Sequence, residues 1–172
     1  MLAAALILTS CTSTKPMPSV TVTALPQSAD QLKIQIPTGW KCAEGPRQDY
    51  PYRCVHETST YNGVLDITVA YYNGGEVPDP SYDDLVKVAK ATPSNKSQEA
   101  LTATQSGDCL FGKYGTAISR SPDYQYIQRW ALSNGKDFIL AEYHNYVMPE
   151  DIELREVQQM VKTLTLRNEP VP

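Results

Sequence analysis

Four cysteines, two histidines and scattered carboxylates are the residues able to do chemistry in this chain, and their spacing decides what that chemistry is. Cys42 and Cys54 flank Ala43-Glu44-Gly45-Pro46-Arg47-Gln48-Asp49-Tyr50-Pro51. Such a turn-rich segment can bring two antiparallel strand ends together, and in an oxidising compartment it predicts a Cys42–Cys54 disulfide. Cys109 is then left over and is expected to behave as a small hydrophobe in a strand. The alternative, a reactive thiol, lacks a neighbouring histidine or basic cluster in sequence to lower its pKa. No Cys-x-x-Cys occurs, and the spacing of His56 and His144 fits no zinc template. Gly-x-Ser-x-Gly, a phosphate loop and His-Glu-x-x-His are all absent, and no pair of carboxylates stands out for hydrolysis. The expectation is therefore a protein that is not an enzyme and holds no cofactor. Glu76, Asp79, Asp83 and Asp84 could offer oxygens to calcium, but their spacing is not that of an EF-hand loop. Turn formation and helix capping account for the same residues, so no metal is assigned and calcium stays a minor alternative.

The fourth cysteine has a different setting. Cys11 follows the apolar run Leu2 to Leu8 as Leu8-Thr9-Ser10-Cys11, which resembles the lipobox of bacterial lipoproteins. Seven apolar residues are far short of the roughly 20 that cross a bilayer, while they reach the short edge of a signal-peptide core. A plain secretory signal is the competing reading, and no Lys or Arg precedes the run. The resemblance implies a signal peptide over residues 1–10 and lipidation at Cys11. It places the protein on the periplasmic side of a bacterial membrane, with Thr12 favouring the outer one. Residues 11–30 are rich in Thr, Ser and Pro and read as a flexible, lipid-anchored linker with a reach on the order of 25 Å.

Residues 31–168 are long enough for one domain with a substantial core. Leu32, Ile34 and Ile36 alternate with polar residues, Tyr52 to Thr58 is less regular, and Leu65, Ile67, Val69 and Tyr71 give the clearest strand. Ser81 caps a helix carrying Asp83 and Asp84 in its first turn, with Leu85, Val86 and Ala89 at helical spacing and Pro93 as the stop. Four further strands follow near Leu101–Gly107, Phe111–Arg120, Tyr126–Leu132 and Phe138–Tyr146. Asn134-Gly135 predicts a tight hairpin with positive φ at both central positions. A last helix starts near Pro149, with Leu154, Val157, Val161 and Leu164 as its buried stripe and Met160 beside it. Glu150, Asp151 and Glu153 complement its dipole. The order defines an α+β fold in which helices pack on an antiparallel sheet of about six to seven strands.

Ile34-Gln35-Ile36-Pro37-Thr38-Gly39-Trp40, Gly112-Lys113-Tyr114-Gly115-Thr116-Ala117, the strand bearing Trp130, Phe138-Ile139-Leu140-Ala141-Glu142-Tyr143 and the closing Met160-Val161-Lys162-Thr163-Leu164 together resemble the PsbP/Mog1-like family. The resemblance spans roughly Gln31 to Leu166. It implies a binding module or adaptor, since such domains generally work through partners. The cysteine-bracketed insertion after Trp40 and the abundance of tyrosine depart from the pattern.

A net charge of −4 and the lack of any Lys/Arg run exclude a nucleic-acid binder, which needs a basic stripe for phosphates. Tyrosine, with 11 copies against two each of Trp and Phe, points to a protein interface. Tyr50 and Tyr52 in the cysteine-bracketed loop are the first candidate contact residues, and Tyr72, Glu76 and Asp79 the second. The functional expectation is a lipid-anchored periplasmic binding protein, an adaptor or inhibitor acting on another protein. A more specific alternative is an immunity protein neutralising a secreted effector. A calcium or small-ligand binding module is the second alternative.

Overall fold

The computed structural model describes residues 21–24, 32–45, 52–58, 61–70, 79–91 and 100–166. Among the described residues, ten strands and two helices run in the order β1 (Thr21–Ala24), β2 (Leu32–Ile36), β3 (Trp40–Glu44), β4 (Tyr52–His56), β5 (Val64–Ala70), α1 (Tyr82–Ala91), β6 (Ala100–Cys109), β7 (Gly112–Arg120), β8 (Tyr126–Ser133), β9 (Phe138–Asn145), α2 (Asp151–Lys162) and β10 (Thr165–Leu166). Seven strands form one antiparallel sheet in the order β3-β4-β5-β9-β8-β7-β6, and β1-β2-β10 form a second. Cys11 and the other signal and linker residues before Thr21 lie outside the described residues. Thr21–Ala24 was expected to be linker, yet it pairs antiparallel with β2, Thr21 facing Ile36 and Ala24 facing Lys33.

Period-two alternation puts two different rows of side chains on the two faces of the large sheet. One row runs Tyr52, Ile67, Ala141, Trp130 and Thr116 across β4, β5, β9, β8 and β7. This face joins the main core, where Leu32, Ile34 and Ile36 of β2 and Val157, Met160, Val161 and Leu164 meet Leu65, Trp130, Leu132, Ile139 and Tyr143. The predicted stripe of α2 is thus buried, with Met160 fully inside and Leu154 only partly so. The opposite face carries α1, whose Leu85 and Ala89 pack on Ala117 and Ala131. Gly115 makes that contact possible, because a Cβ there would sit 2.3 Å from the Val86 amide nitrogen.

Local chemistry explains the ends of the elements. Ser81 Oγ accepts from the Asp84 amide at 3.2 Å, and the Asp84 carboxylate accepts from the Ser81 amide and hydroxyl at 3.3 and 2.6 Å. This reciprocal capping satisfies groups that the first turn leaves open. It also holds the Asp84 carboxyl below its usual pKa, the Ser81 side-chain bond contributing most and Lys87 next.

The hairpin between β8 and β9 differs from the tight turn expected. Ser133 pairs with Phe138, leaving residues 134–137 as a four-residue loop. Gly135 alone takes positive φ, at 88°, since no non-glycine residue does so among those described. The Asn134 side chain is the reason: its Oδ1 accepts from the amides of Lys136 and Asp137 at 2.9 and 2.6 Å, so it builds the loop through its amide instead of through a left-handed backbone. Pro149 precedes the N-cap Glu150 and so lies two residues before Asp151, the first residue of α2, and not within the first turn as expected.

Candidate interaction surface

Two hydrogen-bonded systems, one on each face of the sheet, meet at the end where β9 runs into α2. On the α1 face, register aligns Arg53, Asp66, Glu142 and Arg129 across β4, β5, β9 and β8. Arg53 donates to both Asp66 oxygens at 2.7 and 2.8 Å, and Arg129 Nε donates to Glu142 Oε2 at 2.6 Å. Asp66, Glu142 and Arg129 are all buried. The two carboxylates are direct cross-strand neighbours, an arrangement that repels unless each has its own cation. His144 Nδ1 lies 3.8 Å from Glu142 Oε1, and its ring packs on Tyr124, which in turn packs on Tyr146, both at 4.7 Å between centroids.

On the α2 face, Tyr143 Oη donates to Glu153 Oε1 at 2.5 Å, and Asn145 Nδ2 donates to Tyr143 Oη and Glu153 Oε1 at 3.2 and 3.3 Å. All three residues are buried. Glu153 is thus more than the dipole complement that sequence suggested: α2 docks on the sheet through it. The other end of the Asn145 amide accepts from the Val147 backbone at 3.1 Å. Strand, helix and connecting loop are therefore tied to one buried side chain. The loop so held presents Tyr146, Val147 and Met148, and the first helical turn adds Ile152, all exposed and Met148 at 63%. Half of the large apolar side chains exposed among the described residues fall within these seven positions. Asp123, Glu150 and Asp151, also exposed, lie within three residues of Tyr124, Tyr146–Met148 or Ile152 in sequence and add negative charge.

The tyrosines here titrate abnormally. A hydrogen bond to Tyr146, with burial second, raises Tyr124 from 10.0 to about 12. Burial alone raises Tyr126 to about 12, and burial first and the Glu153 bond second push Tyr143 higher still. Raised phenol pKa values mean that the fold favours the neutral form. That contribution is complete below pH 10 and is lost as pH rises through about 12. Absorbance titration is expected to show Tyr124 and Tyr126 ionising late, with Tyr146→Phe lowering the Tyr124 value and leaving Tyr126 in place.

The residues expected to form the contact surface fare differently. Cys42 and Cys54 are joined as predicted, directly opposite each other on β3 and β4. Tyr52 is only 3% exposed and belongs to the main core, so its side chain is unavailable to a partner. Its position one strand step from Arg53 forces it inward, since β4 alternates. Cys11, Tyr50, Tyr72 and Glu76 lie outside the described residues. Asp79 is exposed and accepts from Lys113 Nζ at 2.5 Å. Asp84 is engaged by Ser81 and Lys87, and among the described residues no group of three His, Cys, Asp or Glu could hold a metal ion. His56 Nδ1 has a local partner in Thr58, at 2.8 Å from its hydroxyl, and Cys109 is a half-buried free thiol whose pKa burial raises. Trp40, His56 and Tyr61 form an aromatic cluster beside α2, where Trp40 Nε1 donates to Glu156 at 2.9 Å.

Two helices, a seven-stranded antiparallel sheet and a small second sheet match a PsbP-like α+β fold. The solution structure of the cyanobacterial PsbP, CyanoP, from Synechocystis sp. PCC 6803 matches with a TM-score of 0.54 at 13% identity, covering 92% of this chain and 98% of that one. A solved structure from Bacteroides thetaiotaomicron VPI-5482 aligns with a TM-score of 0.42 at 12% identity, over 80% of this chain and 46% of that one. No family model matches the sequence, and no curated protein matches it. At such identities the likeness is one of fold, and function has to be argued from the residues. No helix among the described residues is long and apolar enough to cross a membrane.

Proposed function

We propose that this chain is a non-enzymatic binding protein, tethered through a lipid on Cys11 to the periplasmic side of a bacterial membrane, which acts by engaging another protein. The observation that carries the reading is the exposed Tyr146-Val147-Met148 loop and Ile152, held from beneath by Asn145. Side chains fixed before contact lose little freedom on binding, and aromatic and Met side chains supply much of the energy at interfaces. The acidic residues near them favour a partner with basic groups around an apolar centre. The tether is supported by Leu8-Thr9-Ser10-Cys11.

Pull-down with the full chain from envelope and secreted fractions tests the contact. Wild type is expected to retain a defined partner, and Met148→Asp is expected to lose it while unfolding at an unchanged denaturant midpoint. Equal retention by both removes this surface from the account. Palmitate labelling tests the tether, and incorporation that survives Cys11→Ser contradicts it.

A further inference from the structure

We propose that β6 is a self-pairing edge, through which two copies of this chain join antiparallel about a two-fold axis near Ser106 and continue the sheet from one copy into the other. The partner-binding surface plays no part in this contact. The large sheet ends on β3 at one side and on β6 at the other, and no strand pairs with the outer side of either among the described residues. The two edges differ in kind. β3 is five residues long, carries Lys41 and Glu44, pairs Lys41 with Glu57 and is cross-linked to β4 by the disulfide. Short, charged edges of that sort resist further pairing. β6 is twice as long, reads Ala-Leu-Thr-Ala-Thr-Gln-Ser-Gly-Asp-Cys, and has exposed residues along almost its whole length. It contains no Lys, Arg, Glu or Pro, the residues that usually block an edge.

Its side chains suit a second copy of themselves. Thr104, Gln105 and Ser106 both donate and accept hydrogen bonds, so none meets a forbidden partner across a two-fold axis. With the axis at Ser106, Thr104 faces Asp108 of the other copy, Gln105 faces Gly107 and Ala103 faces Cys109, so no like charges are opposed. Leu101 near the start of the strand is 53% exposed, while Leu110 lies past its end in the turn to β7, where its amide donates to the Lys162 carbonyl at 3.0 Å. A bulge between Leu101 and Ala103 advances Leu101 by one position. The regular stretch Ala103–Cys109 is the part that pairs with the second copy. Asp108, the single charge of the strand, already accepts from Tyr82 at 2.8 Å.

Sedimentation of the full chain up to about 1 mM, where weak association registers, is expected to show a reversible monomer–dimer equilibrium. Ser106→Lys sets two ammonium groups opposite each other and is expected to weaken it about fivefold. A monomer at every concentration, or a folded Ser106→Lys variant that dimerises as well as wild type, overturns the proposal. Should Ser106→Lys fail to fold, Ser106→Cys in a Cys109→Ser background decides. Mild oxidation is expected to give a covalent dimer, while Asn62→Cys in the same background gives none. Failure of the first to cross-link, or equal cross-linking by both, overturns the assignment.

Discussion

Replacing Glu142 with alanine is expected to cost about 3–5 kcal/mol of stability, the usual consequence of stranding one member of a buried ion pair. Arg129 would keep its charge in a buried site, and its 2.6 Å bond would be gone. The urea midpoint should fall accordingly, because an intact domain has few kcal/mol to spare. Arg129→Ala should cost at least as much, since Glu142 would then face Asp66 across the β9–β5 pair without its own cation. The informative partner experiment is the double change Arg129→Met with Glu142→Leu. An apolar pair of similar size is expected to recover most of the loss. If the single change Glu142→Ala lowers the midpoint by no more than an exposed substitution does, the buried row has been misread.

Opening the Cys42–Cys54 bridge ranks next. Its 12-residue separation corresponds to about 3 kcal/mol in the chain-entropy picture. The bond fastens the edge strand β3 to the sheet, and β3 positions Trp40, whose indole reaches Glu156 on α2. Reductant is therefore expected to lower the wild-type midpoint and to leave a Cys42→Ala, Cys54→Ala variant unaffected at its own lower value. Equal midpoints for wild type with and without reductant would contradict the assignment.

What could be read from sequence follows from which interactions are periodic. Leu65, Ile67 and Val69, or Val157 and Val161, announce their faces because burial repeats along one element. β3 showed only as a strand end at Cys42, because Trp40-Lys41-Cys42-Ala43-Glu44 has one buried residue and no period from which its extent could be read. β1 and β10 are four and two residues long, too short for a period to register, and exist by pairing with β2. The Arg129–Glu142 pair was hidden because the tight Asn134-Gly135 turn expected from sequence sets Arg129 opposite Leu140, and only the four-residue loop of the structure restores the pairing. Counting outward from the Asn134-Gly135 loop, with Ser133 opposite Phe138, brings Arg129 opposite Glu142. Charges facing each other in two otherwise apolar strands are expected to pair. Glu153 offered no cue either, since a first-turn acid is ordinarily explained by the helix dipole. Its burial is set by Tyr143 and Asn145 from another element, which only tertiary structure brings together.

The tyrosine count singled out Tyr52 as a contact residue, and the structure buries its ring in the main core. Composition cannot separate a core ring from a surface one; position in the alternation of β4 can. The loop at Tyr146 lies where a strand signal fades into a helix start, a place where periodicity says least.

The most direct measurement is site-specific photo-crosslinking of the full chain in the cell of origin, with a photoreactive residue at Met148 and, separately, at exposed Lys136 on the β8–β9 loop. The account predicts one discrete adduct at Met148, absent at Lys136 and abolished when Ile152→Lys is added to the Met148 probe. A folded chain that yields no adduct at Met148, or the same adducts at both positions, would contradict a partner-binding role for this surface.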